Sequence, residues 1–148
     1  MATGYTRVSG DTLYSGGGGY GWDDPQFAGN DRDRGAPDDL RRDMNQHSID
    51  KIFSIDLSND VYRVGIIMGD NSYAHDDMDV YAEGALVLGG ISNGIGEFKE
   101  NAFYITVLDG KLDITMHDDG GGDPNWVINA LTIERVLHGV VQGYAIIG

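Results

Sequence analysis

Four aromatic side chains fall in or beside polar loops: Tyr20, Trp22, Tyr73 and Trp126. An aromatic face stacked on the C–H side of a sugar ring, with a few planar polar groups reaching the hydroxyls, is one way to hold a saccharide. Arg32, Arg34, Asn71, His75 and Asn125 lie near these rings in sequence and supply such groups. An arginine fork pairs bidentately with a carboxylate, which would suit a uronate-bearing glycan. Each residue also has a plainer reading. Trp126 opens a strand and reads first as a core plug, whereas Trp22, in a Gly/Asp loop, is the better candidate for exposure. The run DRDRG at 31–35 reads equally as a loop closed on itself by salt bridges.

Three acidic clusters could serve a hard cation: Asp31/Asp33, Asp70/Asp76/Asp77 and Asp118/Asp119/Asp123. Ca²⁺ takes about six to eight oxygens from carboxylates and carbonyls. The set Asp118, Asp119 and Asp123 is the first choice for a structural Ca²⁺, because glycines in HDDGGGDPNW free the carbonyls to turn inward. None of the three has EF-hand spacing, and solvated loop acids are the alternative for each. His47, His75, His117 and His138 lack paired spacing, which argues against a catalytic zinc. Gly69-Asp70-Asn71-Ser72 superficially resembles a GDS-type esterase nucleophile block. It lacks a distant Asp-x-x-His pair, and His75 is too local for the usual triad.

The elements that must position these residues are strands. No stretch of ten or more residues carries a helical period. Short strands are expected over 4–8, 12–14, 40–44, 52–57, 61–68, 78–82, 86–88, 98–108 and 112–116, and a last one over 126–133 that is apolar on both faces. Phe53, Ile55 and Leu57 alternate inward, as do Tyr62, Val64, Ile66 and Met68, then Phe103, Ile105 and Val107, then Leu112, Ile114 and Met116. Ser58-Asn59-Asp60 and Asp109-Gly110 both read as hairpin turns. Residues 23–39 form a long polar loop and 89–96 a glycine loop. The apolar tail 136–148 reads as a cover strand or as the start of a linker, giving one module over 1–135. Asn129 inside the last strand is expected to be buried and hydrogen-bonded.

Composition agrees. The chain has 148 residues, enough for one domain with a real core. A formal charge of −14 argues against nucleic acid as a partner. No apolar run approaches the ~18 residues of a membrane span. There are no cysteines, which excludes disulfides and thiolate metal sites. No apolar leader stands at the start. Short strands with turns every 8–12 residues or so mean an all-β, jelly-roll sandwich.

Five ordered blocks carry a more specific likeness: GYTRVSGDTLYS…GYGW (4–22), DRDRGAPDDLRRDM (31–44), YRVGIIMGDNSYAHDDMDVYAEG (62–84), FYITVLDGKLDITMHDDGGGDPNW (103–126) and VINALTIE (127–134). Together they resemble the non-catalytic galactose-binding-like β-sandwich found beside the catalytic domain in bacterial rhamnogalacturonan acetylesterases and in related secreted multidomain proteins. The likeness spans roughly 4–135. Such domains often open with an FDFG-like strand, which is missing before the first block here.

The resemblance implies a carbohydrate-binding-like accessory module, extracellular or at the cell surface and flanked by other domains of a parent polypeptide. Its expected partner is a plant or algal polysaccharide, a pectic glycan included. Galactose-binding-like folds often hold one structural Ca²⁺, which adds to the reading of the 118–123 loop. A spacer or adhesive module without a glycan ligand is the second reading, and a hydrolase the third.

Overall fold

The computed structural model describes residues 2–24, 30–137 and 139–146. Its strands build a jelly-roll β-sandwich, and the described residues contain no α-helix. The first five-stranded sheet runs β1 (Thr6–Val8), β13 (Gly139–Ile146), β12 (Ala130–Arg135), β6 (Asp60–Gly69), β9 (Phe98–Val107). The second runs β2 (Tyr20–Trp22), β5 (Lys51–Asp56), β10 (Lys111–Asp118), β7 (His75–Ala82), β8 (Ala85–Asn93). A three-stranded sheet, β11 (Trp126–Ile128), β4 (Asp43–His47) and β3 (Asp31–Asp33), covers one end. Every described side chain expected inward is buried or packed against the core, because a period of two puts alternate residues on one face. Each fully buried Val, Leu, Ile or Phe contributes about 1.5–3 kcal/mol.

Both expected hairpins are instead arches between the sheets. β5 pairs with β2 and β10, while β6, three residues on, pairs with β9 and β12. β9 and β10 likewise belong to opposite sheets. Two consecutive strands that face the same core show the same alternation whether they pair or oppose each other. Asn59 ties the two arches together: its Nδ2 donates to Leu108 O at 2.9 Å and its Oδ1 accepts from Gly110 N at 2.7 Å. A two-residue hairpin joins β7 to β8, and β12 and β13 are likewise consecutive antiparallel neighbours. Glu83 and Gly84 both take positive φ (53° and 79°), which matches the strand twist.

Other boundaries differ as well. The strand expected over 126–133 is two strands, which change sheet at Asn129. Asn129 is buried, and its Nδ2 donates to the carbonyls of Arg41 (3.3 Å) and Asp43 (3.0 Å). The glycine loop expected at 89–96 is strand as far as Asn93, with register shifts opposite Met78–Tyr81. Instead of a strand over 12–14, Leu13 makes an isolated bridge to Trp22 and a 3-10 turn follows. The strand expected over 40–44 starts at Asp43, because Asp38 caps a turn by accepting from Leu40 N and Arg41 N. The tail does not stand apart. β13 lies between β1 and β12, with Tyr144, Ala145 and Ile146 in the core, so position 135 divides nothing. His138 and residues 25–29 of the 23–39 loop lie outside the described residues.

Candidate functional site

Four chain segments meet at the end of the sandwich covered by the small sheet. Asp70 follows the last residue of β6, His75 opens β7, Arg34 follows β3, and Asp123 and Asn125 precede β11. Gly69 permits the crowding there. A Cβ at this position would lie 2.4 Å from the Glu97 carbonyl oxygen.

Asp70 is the centre of the end. It is fully buried and accepts two parallel bonds from the Arg34 fork: Nε to Oδ1 at 2.9 Å and Nη2 to Oδ2 at 3.0 Å. Ser72 N donates to Oδ1 at 2.8 Å. His75 Nε2 stands 3.2 Å from Oδ2, and its Nδ1 is 3.0 Å from Asp123 Oδ1 and 3.2 Å from Asn125 O. Burial alone would raise the Asp70 carboxyl, but bonds from His75, Arg34 and Ser72 N overcome it and hold the group far below the usual carboxylate range. Burial alone would lower the His75 imidazole, but bonds to Asp70 and Asp123 raise it. With a carboxylate on each ring nitrogen, the imidazolium is the form that donates to both. The site therefore rests on a buried relay, Arg34–Asp70–His75–Asp123.

Above the relay lies a depression of about 330 Å³, lined by Arg32, Arg34, Gln46, Tyr73, His75, Asp123 and Asn125. Tyr73 is 60% exposed, and the Arg34 Cζ sits 5.1 Å from its ring centroid. Five of the nine residues expected to meet a ligand are thus brought together, with His75 buried at the floor. Gln46, on β4, is added to them; nothing in its sequence surroundings marked it. Asn71 lies beside this group without lining the depression; its Oδ1 faces Gly96.

Tyr20 and Trp22 are corrected as ligand faces, while Trp126 takes the core position that its place at a strand start pointed to. Trp22 is not exposed: it and Trp126 are buried and stack on each other, with ring centroids 5.7 Å apart. Their indole N–H groups are satisfied inside, Trp22 by Asn45 Oδ1 at 3.0 Å and Trp126 by Ile49 O at 2.9 Å. Tyr20 packs on Tyr144 at 5.1 Å and lines a separate depression with Gly19 and Asp56. None of the three presents a face to the Tyr73 depression.

The DRDRG run is salt-bridged outward along the chain. Arg34 reaches Asp70, and Arg42 forks onto Asp33 at 3.0 and 2.7 Å, holding that carboxyl at about 2. Asp31 accepts from Gly10 N at 2.8 Å and from Asn45 Nδ2.

The three carboxylates expected to share a Ca²⁺ do not form a single cluster of converging oxygens. Asp119 is turned toward His117, with an oxygen 3.7 Å from Nε2, and Asp123 is taken by His75. Asp118 accepts from Gly120 N at 2.9 Å, but its Oδ2 is buried with no donor. Burial, then the nearby Asp123 and Asp76 charges, raise its carboxyl. That unmet oxygen fits a cation. Ser72 makes no hydrogen bond to a histidine among the described residues; both nitrogens of His75 face carboxylates instead.

Residues 1–134 match the family model described as β-agarase/YXIM esterase-like, galactose-binding domain-like. β-Agarase A of Zobellia galactanivorans is 40% identical over 136 residues, which are 90% of this chain and 24% of that protein. The chain therefore spans about a quarter of the length of the curated relative it matches. The crystal structure of protein YXIM from Bacillus subtilis superposes with a TM-score of 0.71 at 26% identity, over 92% of this chain and 37% of that one. β-Glucuronidase 2 of Bacteroides uniformis shares the fold, with a TM-score of 0.61 at 17% identity over 81% of this chain and 14% of its own. Among the described residues, no helix is long and apolar enough to cross a membrane.

Proposed function

We propose, from the premise that the chain belongs to the β-agarase/YXIM esterase-like, galactose-binding domain-like family, that it is a non-catalytic glycan-recognising module of a larger exported protein. The observation that carries this reading is the Tyr73 ring, exposed and backed by Arg34 at the rim of a depression lined with planar polar groups. A ring in that position offers a stacking face, and Arg32, Gln46 and Asn125 offer hydroxyl partners.

The glycan in this proposal is a neutral, agar-type galactan of algal origin. Two points favour it over a pectic uronate. The Arg34 fork, which would have gripped a carboxylate, is already held by Asp70, and the chain carries a formal charge of −14. The 40% identical relative is named a β-agarase. Binding is weak and serves to hold neighbouring domains of the parent polypeptide near their polysaccharide. The calcium enters the proposal at Asp118 alone, the one carboxylate of the expected three left with an unmet buried oxygen.

Native electrophoresis through gels containing soluble agar-type galactan tests the reading. The chain should be retarded there and run freely in polygalacturonate. Tyr73→Ala should weaken retardation at least about tenfold, equivalent to ~1.4 kcal/mol, with the melting temperature unchanged because the side chain is largely in solvent. Free migration of the wild-type chain in every galactan would leave the spacer reading in its place.

A further inference from the structure

We infer that Asp79, His117 and Asp119 form a binding site for a divalent transition metal of the zinc class, on the outer face of the second sheet. Asp79 on β7 and His117 on β10 are direct cross-strand partners. Both alternate with buried residues, Met78 and Val80 on one strand and Met116 on the other, so both project from the face turned away from the core. Asp119 stands two residues beyond His117, where the chain leaves the sheet. One ligand atom from each of the three lies within 4.8 Å of the others.

Two further observations separate this group from a chance meeting of surface acids. The first is the orientation of the imidazole. His117 Nδ1 lies 2.6 Å from Asp50 Oδ1, across the sheet from the metal side. With Nδ1–H donated to that carboxylate, Nε2 is the nitrogen turned toward Asp119, and an entering metal would displace its proton. A carboxylate fixing the tautomer of a histidine is the usual outer partner of a metal-binding imidazole. The second is the state of Asp79. It is 8% exposed, and its only donor among the described residues is Gly90 N, at 2.8 Å to Oδ1. Its carboxylate thus keeps acceptor capacity within reach of the His117 and Asp119 ligand atoms. Gly90, whose N–H makes that bond, takes φ +65° on β8 opposite Asp79.

The donor set selects the ion. One imidazole and two carboxylates suit Zn²⁺, Co²⁺ or Ni²⁺, whereas Ca²⁺ takes oxygen alone. Tetrahedral bonds of ~2.0–2.1 Å put neighbouring donors about 3.3 Å apart, so the group must draw together slightly. Asp119 is free to make that movement, since its side chain is 74% exposed and Gly120, Gly121 and Gly122 follow it. Three protein donors leave the fourth position to water. The bound ion would pin the start of the 118–125 loop to the β7–β10 pair.

The test is a titration of the tag-free chain with Co²⁺, read by its visible absorption, and with Zn²⁺, read by calorimetry. One equivalent should bind saturably, with Co²⁺ bands of tetrahedral intensity. His117→Gln should abolish binding, Asp119→Asn should weaken it at least tenfold, and Asp50→Asn should weaken it about 10–100-fold. His47→Gln and added Ca²⁺ should leave the titration unchanged. Asp119→Asn alters only an exposed side chain, so the test survives even if His117→Gln impairs folding. Absence of saturation at millimolar metal, or equal binding by the wild-type, Asp119→Asn and His117→Gln chains, would overturn the inference.

Discussion

Replacing Asp70 with asparagine should reduce the stability of the whole domain by about 3–5 kcal/mol, as removing one partner of a buried ion pair does. The structure supplies the reason. The carboxylate accepts four donors: Arg34 Nε, Arg34 Nη2, Ser72 N and His75 Nε2. An amide of the same shape has one acceptor oxygen, and its NH₂ would face either the guanidinium or the imidazole. At least two donors lose their acceptor, each at about 1–3 kcal/mol. At about 2–4 °C per kcal/mol for a chain of this size, the melting temperature should fall by about 6–20 °C. Urea unfolding is the direct assay: the midpoint should fall with the slope unchanged. A double-mutant cycle with His75→Gln should give a coupling of about 0.5–3 kcal/mol. A loss under about 1 kcal/mol together with zero coupling would mean that the relay does not hold this end, and the reasoning would fail.

Three further outcomes follow from the same geometry. His75 is raised by its carboxylate partners, so its contribution is fully present below the unfolded value near 6.5 and is lost as pH rises through the folded one; urea midpoints from pH 5.5 to 9 should fall for the wild-type chain and fall less in His75→Gln, where His117, raised by Asp50, still contributes. Asp70 works in the opposite direction, its contribution fading only as the solution is acidified well below the ordinary aspartate value. Trp22→Ala should destabilise the fold by about 3–5 kcal/mol, read by denaturation, since it empties a core position instead of removing a binding face. Added Ca²⁺ should raise the melting temperature in proportion to the logarithm of its concentration, and Asp118→Asn should abolish the effect; identical melting with Ca²⁺ and with chelator would remove the ion from the proposal.

The fold was legible because burial in a sandwich writes a period of two directly into the chain. Phe53/Ile55, Tyr62–Met68 and Leu112–Met116 all declare their inner faces. Pairing was not legible from the same signal. The inward pattern of β5 and β6 is satisfied equally by lying side by side in one sheet or across the core from each other. A three-residue link reaches either way, and only the choice made by β9 and β12 as neighbours of β6 settles it. The tail read as a cover strand or as the start of a linker for a related reason: its apolar pattern shows burial, while its place between β1 and β12 is not written in it.

The site shows where residue type stops being informative. Tyr73, Arg32, Arg34 and Asn125, singled out because exposed recognition uses a small set of side chains, line one depression. Trp22 has the same chemistry and sits in an equally polar stretch, yet it closes the core against Trp126. What separates the two aromatics is an inside partner. Asn45 accepts from the Trp22 indole N–H inside, whereas the Tyr73 side chain is exposed. Asp70 stood out only as one member of an acidic cluster, for the opposite reason. Among 24 acidic residues in 148, one carboxylate looks like the next, and its role appears only when Arg34, 36 positions away, and His75 arrive at the same buried point. Spacing rules likewise missed Asp79 with His117, because a sheet assembles donors by strand register and not by proximity along the chain. In an acidic all-β domain, then, the chemistry of a candidate site can be read from residue types, while which aromatics face out and which carboxylates matter is decided by the partners buried beside them.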